Sequence, residues 1–133
     1  MDIRSFRPAD LHPTHGYSHA ISVSGGRLVM LSGQVAFDKD RLLVGEGDFA
    51  AQARQAFENI SVALAAAGTG FDSVVRLDYY VTRFDDPERN ALVAVRDEFV
   101  TGPHPPVNTL QCVSSLGGDG LMIEIVATAV ADA

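Results

Sequence analysis

Glu124 stands alone in the run Leu121-Met122-Ile123-Glu124-Ile125-Val126-Ala127. A carboxylate inside an apolar strand loses solvation unless something pairs with it, and burial raises its pKa. Such a group suits a general acid or base, or the orienting of a water. The same pattern also fits a glutamate that faces solvent or bonds a structural partner. Tyr17, after Gly16, offers either a pocket hydroxyl or a turn-packing ring. His12, His15 and His19 are close in sequence, but Pro13 and Gly16 keep them off one helical face. With no carboxylate or cysteine at ligand spacing, no metal site is expected there. Cys112 is the single cysteine, which excludes an intrachain disulfide and a cysteine-based zinc cluster. No His or Lys stands beside it in sequence, so it reads as an inert core thiol. Gly117-Gly118-Asp119-Gly120 lacks the lysine and the helix of a phosphate loop.

These residues must be held by regular elements. Tyr17 to Val23 reads as a strand, Ser24-Gly25-Gly26 as a hairpin turn, and Arg27 to Val35 as the returning strand. Ser32-Gly33 interrupts that strand, which suggests a bulge or a close backbone approach. From Asp48 to Ala67, apolar residues at Phe49, Ala53, Ala56, Phe57, Ile60, Ala63, Leu64 and Ala67 trace one helical face. Asp48 caps its start and Gly68 ends it. Val74 to Arg83 alternates, with Val75, Leu77, Tyr79 and Val81 on one face. Asp86 to Phe99 reads as a second helix. Thr101 to Pro106 forces an extended loop, Asn108 to Ser114 is a short strand, and Leu121 to Val130 is a long apolar one. With a short first strand near Ile3 to Phe6, the order is β-β-β-α-β-α-β-β. That favours an α+β fold, a sheet with helices on one face. Val75, Leu77, Tyr79, Ile123 and Ile125 are then expected to make the other face apolar enough to be buried against other subunits.

The chain has 133 residues, the size of a single domain spanning 1–133. With 47% hydrophobic and 20% charged residues it is globular, not disordered. Its net charge of −7 disfavours nucleic-acid and anionic-membrane partners. Met1 to Asp10 carries Asp2, Arg4, Arg7 and Asp10 and does not read as a signal peptide. Val62 to Ala67, the longest uncharged apolar run, is too short to span a bilayer. A soluble, cytoplasmic protein is the expectation.

Six pieces together resemble the YjgF/Rid family of reactive intermediate deaminases, also labelled endoribonuclease L-PSP. They are Gly16-Tyr17-Ser18-His19-Ala20, Leu31-Ser32-Gly33-Gln34, Gln52 to Asn59, Val74 to Thr82, His104-Pro105-Pro106 and Ile123-Glu124-Ile125. They run in family order over about residues 15–130, and each is weak alone. The resemblance implies a chorismate-mutase-like sheet of about six strands with two helices on one face. It also implies a homotrimer with a pocket at each subunit interface. The implied activity is hydrolysis of an imine or enamine to a carbonyl compound and ammonia, with no cofactor. Glu124 and Tyr17 are the implied catalytic pair. Asn108, Thr109 and Gly33, with Ser32, would bind the substrate, and Tyr17 would reach over from the neighbouring subunit. Archetypal members carry an arginine where this chain has Asn108. An amide lacks the charged two-pronged fork that holds a carboxylate, a loss of about 2–5 kcal/mol. Arg76, Arg83 and Arg96 are the candidates to replace it.

Two activities compete: hydrolysis of an imine, enamine or related carbonyl-type intermediate without the usual carboxylate clamp, or ligand binding and regulation without turnover. Ribonuclease activity is disfavoured by the acidic charge and by the lack of an evident histidine pair or basic stripe.

Overall fold

The computed structural model describes residues 1–133. Strands β1 (Asp2–Phe6) and β2 (Ala20–Ser24) pair antiparallel as a small sheet. A second sheet has the order β3-β6-β4-β5, made of β3 (Arg27–Met30), β4 (Val74–Val81), β5 (Val107–Cys112) and β6 (Ile123–Ala131). Strand β6 runs antiparallel to β3 and β4, while β5 runs parallel to β4. A parallel neighbour requires a crossover, and α2 (Asp86–Phe99) supplies it. With α1 (Phe49–Ala66), this is an α+β fold: two helices packed against a mixed sheet of six strands in two sheets.

The element order is the expected one, and the helices fall where periodicity places them. Asp48 Oδ1 accepts from the Ala51 N–H at 3.1 Å and caps α1. Gly68, at φ +76°, closes it, with the Thr69 N–H returning to the Leu64 carbonyl. In α2 the Glu88 carboxylate accepts from the Asp85 backbone N–H at 3.2 Å. Phe57 of α1 lies fully buried against Phe71 and Phe99, with ring centroids 5.9 and 5.1 Å away.

Three expectations are corrected. Ser24-Gly25-Gly26 turns the chain, but β2 pairs with β1 and β3 pairs with β6, so they form no hairpin, and β3 ends at Met30. Second, Leu77, Tyr79, Ile123 and Ile125 do not form the outer face. They are the inner one, buried beneath the helices. Alternation defines two faces, and helices cover the more apolar of them. A bulge between Val74 and Arg76 also takes Val75 out of step. The exposed apolar side chains on the outer face are instead Leu28 and Met30 of β3, 62% and 75% exposed, beside Val130 and Thr128 of β6. Third, Cys112 is exposed, because it ends the edge strand β5. No helix is long and apolar enough to cross a membrane.

Polar residues of α1 fix the segments that carry the site. Gln52, fully buried, donates through Nε2 to the Gly45 and Gly120 carbonyls at 3.1 and 2.9 Å. Its Oε1 accepts from the Met122 N–H at 2.8 Å, at the entry to β6. Asn59 Nδ2 donates to the Val35 and Phe37 carbonyls, both at 2.9 Å, and so holds the chain that follows Gly33. Replacing Gln52 by Leu would leave the Gly45 and Gly120 carbonyls and the Met122 N–H without this partner. Urea denaturation of Gln52→Leu is expected to show a loss of about 2–4 kcal/mol.

Candidate functional site

Strand β3 stops at Met30, yet the chain stays on β6. The Gln34 N–H donates to the Ile125 carbonyl at 2.8 Å, and the Ile125 N–H donates back at 2.9 Å. Met30 pairs with Thr128 and Gln34 with Ile125, four steps on one side against three on the other. The surplus residue is a bulge at Leu31 to Gly33, at the interruption the sequence carries. It lays the Gly33 backbone against the Glu124 carboxylate, so closely that a Cβ on Gly33 would overlap it. A side chain on residue 33 would displace the Glu124 carboxylate from this position. Glu124 is half-buried, and its carboxylate has no hydrogen-bond or ion-pair partner within the chain. It shares an outer-face row with Tyr80 and Gln111.

The inner face carries a different feature. A cavity of about 500 Å³ opens where α2 meets the edge of the sheet. Tyr17 and His15 of the N-terminal loop, Tyr79 of β4, Asn108 and Leu110 of β5, and Arg96 of α2 line it. Tyr79 is buried with its ring near Phe57, and its hydroxyl has no partner. Burial pushes that hydroxyl well above the ordinary tyrosine range, more than nearby Arg96 pulls it down, so it remains a protonated donor.

Within one chain the structure thus divides the expected site residues. Tyr17 and Asn108 share the inner cavity. Glu124 and Gly33 lie together on the outer face, with Ser32 beside them in the bulge. Thr109 is also on the outer face, where its Oγ1 accepts from Arg76 Nη2 at 2.9 Å. Successive strand residues point to opposite faces, so Asn108 and Thr109 cannot serve one pocket in one chain. Tyr17 needs no neighbour to reach Asn108.

The three candidate arginines separate as clearly. Arg76 is held by Thr109 and by Asp78, at 2.8 Å. Arg83 is exposed and pairs with Asp85 and Glu88. Arg96 alone among them lines the cavity, joined by Arg89, which the sequence reading did not single out. The signal was there: Arg89, Leu92 and Arg96 are spaced three and four apart, on one face of α2. The histidine pair missed in sequence is present too. His12 and His19 meet edge to face at 4.7 Å. His12 Nε2 is 3.0 Å from the Tyr17 hydroxyl and His19 Nε2 is 2.7 Å from the His12 carbonyl, so both Nε2 atoms are engaged in holding this loop.

The endoribonuclease L-PSP family profile matches residues 8–131. Protein DfrA of Myxococcus xanthus is 38% identical over 114 residues, covering 86% of this chain and 84% of its own. A 2-iminobutanoate/2-iminopropanoate deaminase of Dermatophagoides farinae is 30% identical over 103 residues, 77% of each chain. The crystal structure of the Rid-family protein YyfB from Yersinia pestis superposes with a TM-score of 0.91 at 35% identity, over 98% of this chain and 99% of that one. The same fold and the same run of residues place this chain in the endoribonuclease L-PSP family, the Rid/YjgF proteins.

Proposed function

We propose that this protein hydrolyses a small imine or enamine to a carbonyl compound and ammonia, at sites shared between copies in a homotrimer. The observation that carries this reading is Glu124: a half-buried carboxylate with no partner in its chain, held against the bare backbone of Gly33. A carboxylate kept free in an apolar strand is available to take a proton from water. A relative named as a 2-iminobutanoate/2-iminopropanoate deaminase supports the same chemistry.

In this mechanism Glu124 orients a water whose oxygen bonds to the C=N carbon. The C=N π pair passes to nitrogen. Glu124 accepts one proton from the water and passes it to nitrogen, giving a carbinolamine; the hydroxyl's remaining proton then passes through Glu124 to the same nitrogen, the C–N bond breaks, and ammonia leaves as the C=O forms. Asn108 and the Gly33 backbone hold the ligand, Thr109 lines its outer-face side, and Tyr17 covers it and assists proton transfer. No cofactor takes part in these steps.

Since the Tyr17–Asn108 cavity and Glu124 lie on opposite faces of one sheet, a site that uses both draws on two copies. The outer face has a reason to associate. Leu28 and Met30 leave an apolar patch uncovered next to Thr128 and Val130, and a second copy would cover it.

Sedimentation equilibrium at micromolar concentration is expected to give a trimer. A stable monomer would remove the shared site. With imines generated in solution by an amino-acid oxidase, ammonia release is expected from the native protein. It should fall about a hundredfold or more in Glu124→Gln, with sedimentation unchanged. Ligand binding with no release of ammonia above background would instead mark a non-catalytic, regulatory member of the family.

A further inference from the structure

The N-terminal loop gathers its polar contacts around one phenol. His12, His15 and His19 crowd into this loop, and the hydrolysis outlined above uses none of them. The Tyr17 hydroxyl has one partner in the chain, His12 Nε2 at 3.0 Å. Tyr17 lines the inner cavity; His12 does not, and it is exposed. The pair is tied down on both sides. His19 Nε2 donates to the His12 carbonyl at 2.7 Å, and the two rings meet edge to face. Arg7 Nε donates to the Tyr17 carbonyl at 3.4 Å. Buried Ser18 donates through its hydroxyl to the Pro105 carbonyl at 2.6 Å, and through its N–H to the Pro106 carbonyl at 3.2 Å. Strand β5, with Asn108, starts at the next residue. The bonds that hold Tyr17 therefore also fix it relative to Asn108.

The direction of the Tyr17–His12 bond follows from donor and acceptor strength. A neutral imidazole has one N–H and one bare nitrogen. The bare nitrogen is a much stronger acceptor than a phenol oxygen, whose lone pairs are partly drawn into the ring. The phenol O–H is in turn a stronger donor than the imidazole N–H. Strong donor meets strong acceptor when Tyr17 donates to His12 Nε2, and the His12 Nδ1–H is then left to water. The one proton of the phenol is committed to His12. What its oxygen still offers is a lone pair, which accepts a hydrogen bond from an N–H. Against a carbonyl oxygen it sets two acceptors together with no proton between them, and leaves both unsatisfied.

We infer that His12, by taking the Tyr17 proton, turns the Tyr17 hydroxyl into an acceptor and makes the cavity select the N–H end of a small imine or enamine over the oxygen of the carbonyl product. His12 is a positioning residue: it touches Tyr17 and not the ligand. The ligand class is a compact planar molecule with an N–H on a trigonal carbon. Hydrolysis removes that N–H, so the contact that holds the substrate is lost in the product. This assignment rests on the reading that Tyr17 covers a site that hydrolyses an imine or enamine.

Nitrogen-15 NMR of the full-length protein at about pH 8.5, where imidazoles are ordinarily neutral, reads the tautomer directly. His12 should carry its proton on Nδ1 in the native protein and revert in Tyr17→Phe to the Nε2–H form that a solvated histidine favours. Calorimetric titration at the same pH then compares oxamate with pyruvate. The two share size and carboxylate, so any charge in the cavity acts on both alike, but oxamate has an N–H donor where pyruvate has a methyl group. Oxamate should bind about tenfold more tightly, and this preference should vanish in Tyr17→Phe. His12→Gln offers a carbonyl acceptor and should keep the preference. His12→Lys has donors only, so it should turn the hydroxyl round and reverse the preference. His12 is exposed, so both variants should keep the native thermal midpoint. An Nε2–H tautomer in the native protein overturns the assignment. So does equal or absent binding of the two probes, or a preference that His12→Lys leaves unmoved. Ammonia release judges the hydrolase reading separately. An oxamate preference that depends on His12, with no ammonia released from imines, sinks hydrolysis and upholds this assignment. Ammonia release with equal affinity for both probes does the reverse.

Discussion

Two helices do not cover four strands evenly, and the position of the cavity follows from that. Across the inner face, residues line up in rows from β6 through β4 to β5: Ile123, Val81, Cys112; then Ile125, Tyr79, Leu110; then Ala127, Leu77, Asn108. In each row the first two side chains are buried and the third is partly or fully exposed. Apolar burial drives the packing of α1 and α2 on β6 and β4, since those rows offer the most apolar area. The core therefore ends at the seam between β4 and β5. Tyr79 sits at that seam, with its ring among the aromatics around Phe57 and its hydroxyl buried without a partner. A phenylalanine would complete the core equally well.

The outer face is governed by hydrogen bonding more than by packing. The two-way bridge between Gln34 and Ile125 keeps the chain on β6 after β3 has ended, and this pins the bulge. The bulge brings backbone, with no side chain, to the Glu124 carboxylate. Gln52 and Asn59 secure the two segments from the other side of the sheet, through α1. The relative position of Gly33 and Glu124 thus depends on buried amides more than ten residues away from either in sequence.

Much of this was legible in the sequence because it rests on local rules. The helical stripe from Phe49 to Leu64, the cap at Asp48 and the break at Ser32-Gly33 each follow from neighbouring residues. The family resemblance also brought Glu124, Tyr17 and Asn108 forward together. What the residues alone did not reveal was which way the sheet faces. Leu77 and Tyr79 are apolar whether covered by helices or by another subunit, and only the tertiary packing decides between the two. Cys112 likewise reads as a core thiol until the strand order puts β5 at the edge. Arg96 was within reach. An arginine one turn after Leu92 and one turn before Phe99 lies on the buried side of α2, where a charge is an exception to the apolar pattern.

The strand geometry also sets what the two walls of the inner cavity present. A residue on β5 at position 108 points to the inner face, where α2 stands opposite it across the cavity. A guanidinium from either wall can therefore reach the same enclosed volume. From β5 the fork projects from a strand at the sheet edge, where few neighbours restrain it. From α2 it is restrained by the Gly16 backbone above and by Asp97 beside it. The helix places that cation on the wall opposite Asn108, in a cavity that Tyr79 also lines. Asn108 with Arg96 gives the cavity two unlike walls, a cation on the helix and a neutral amide on the strand.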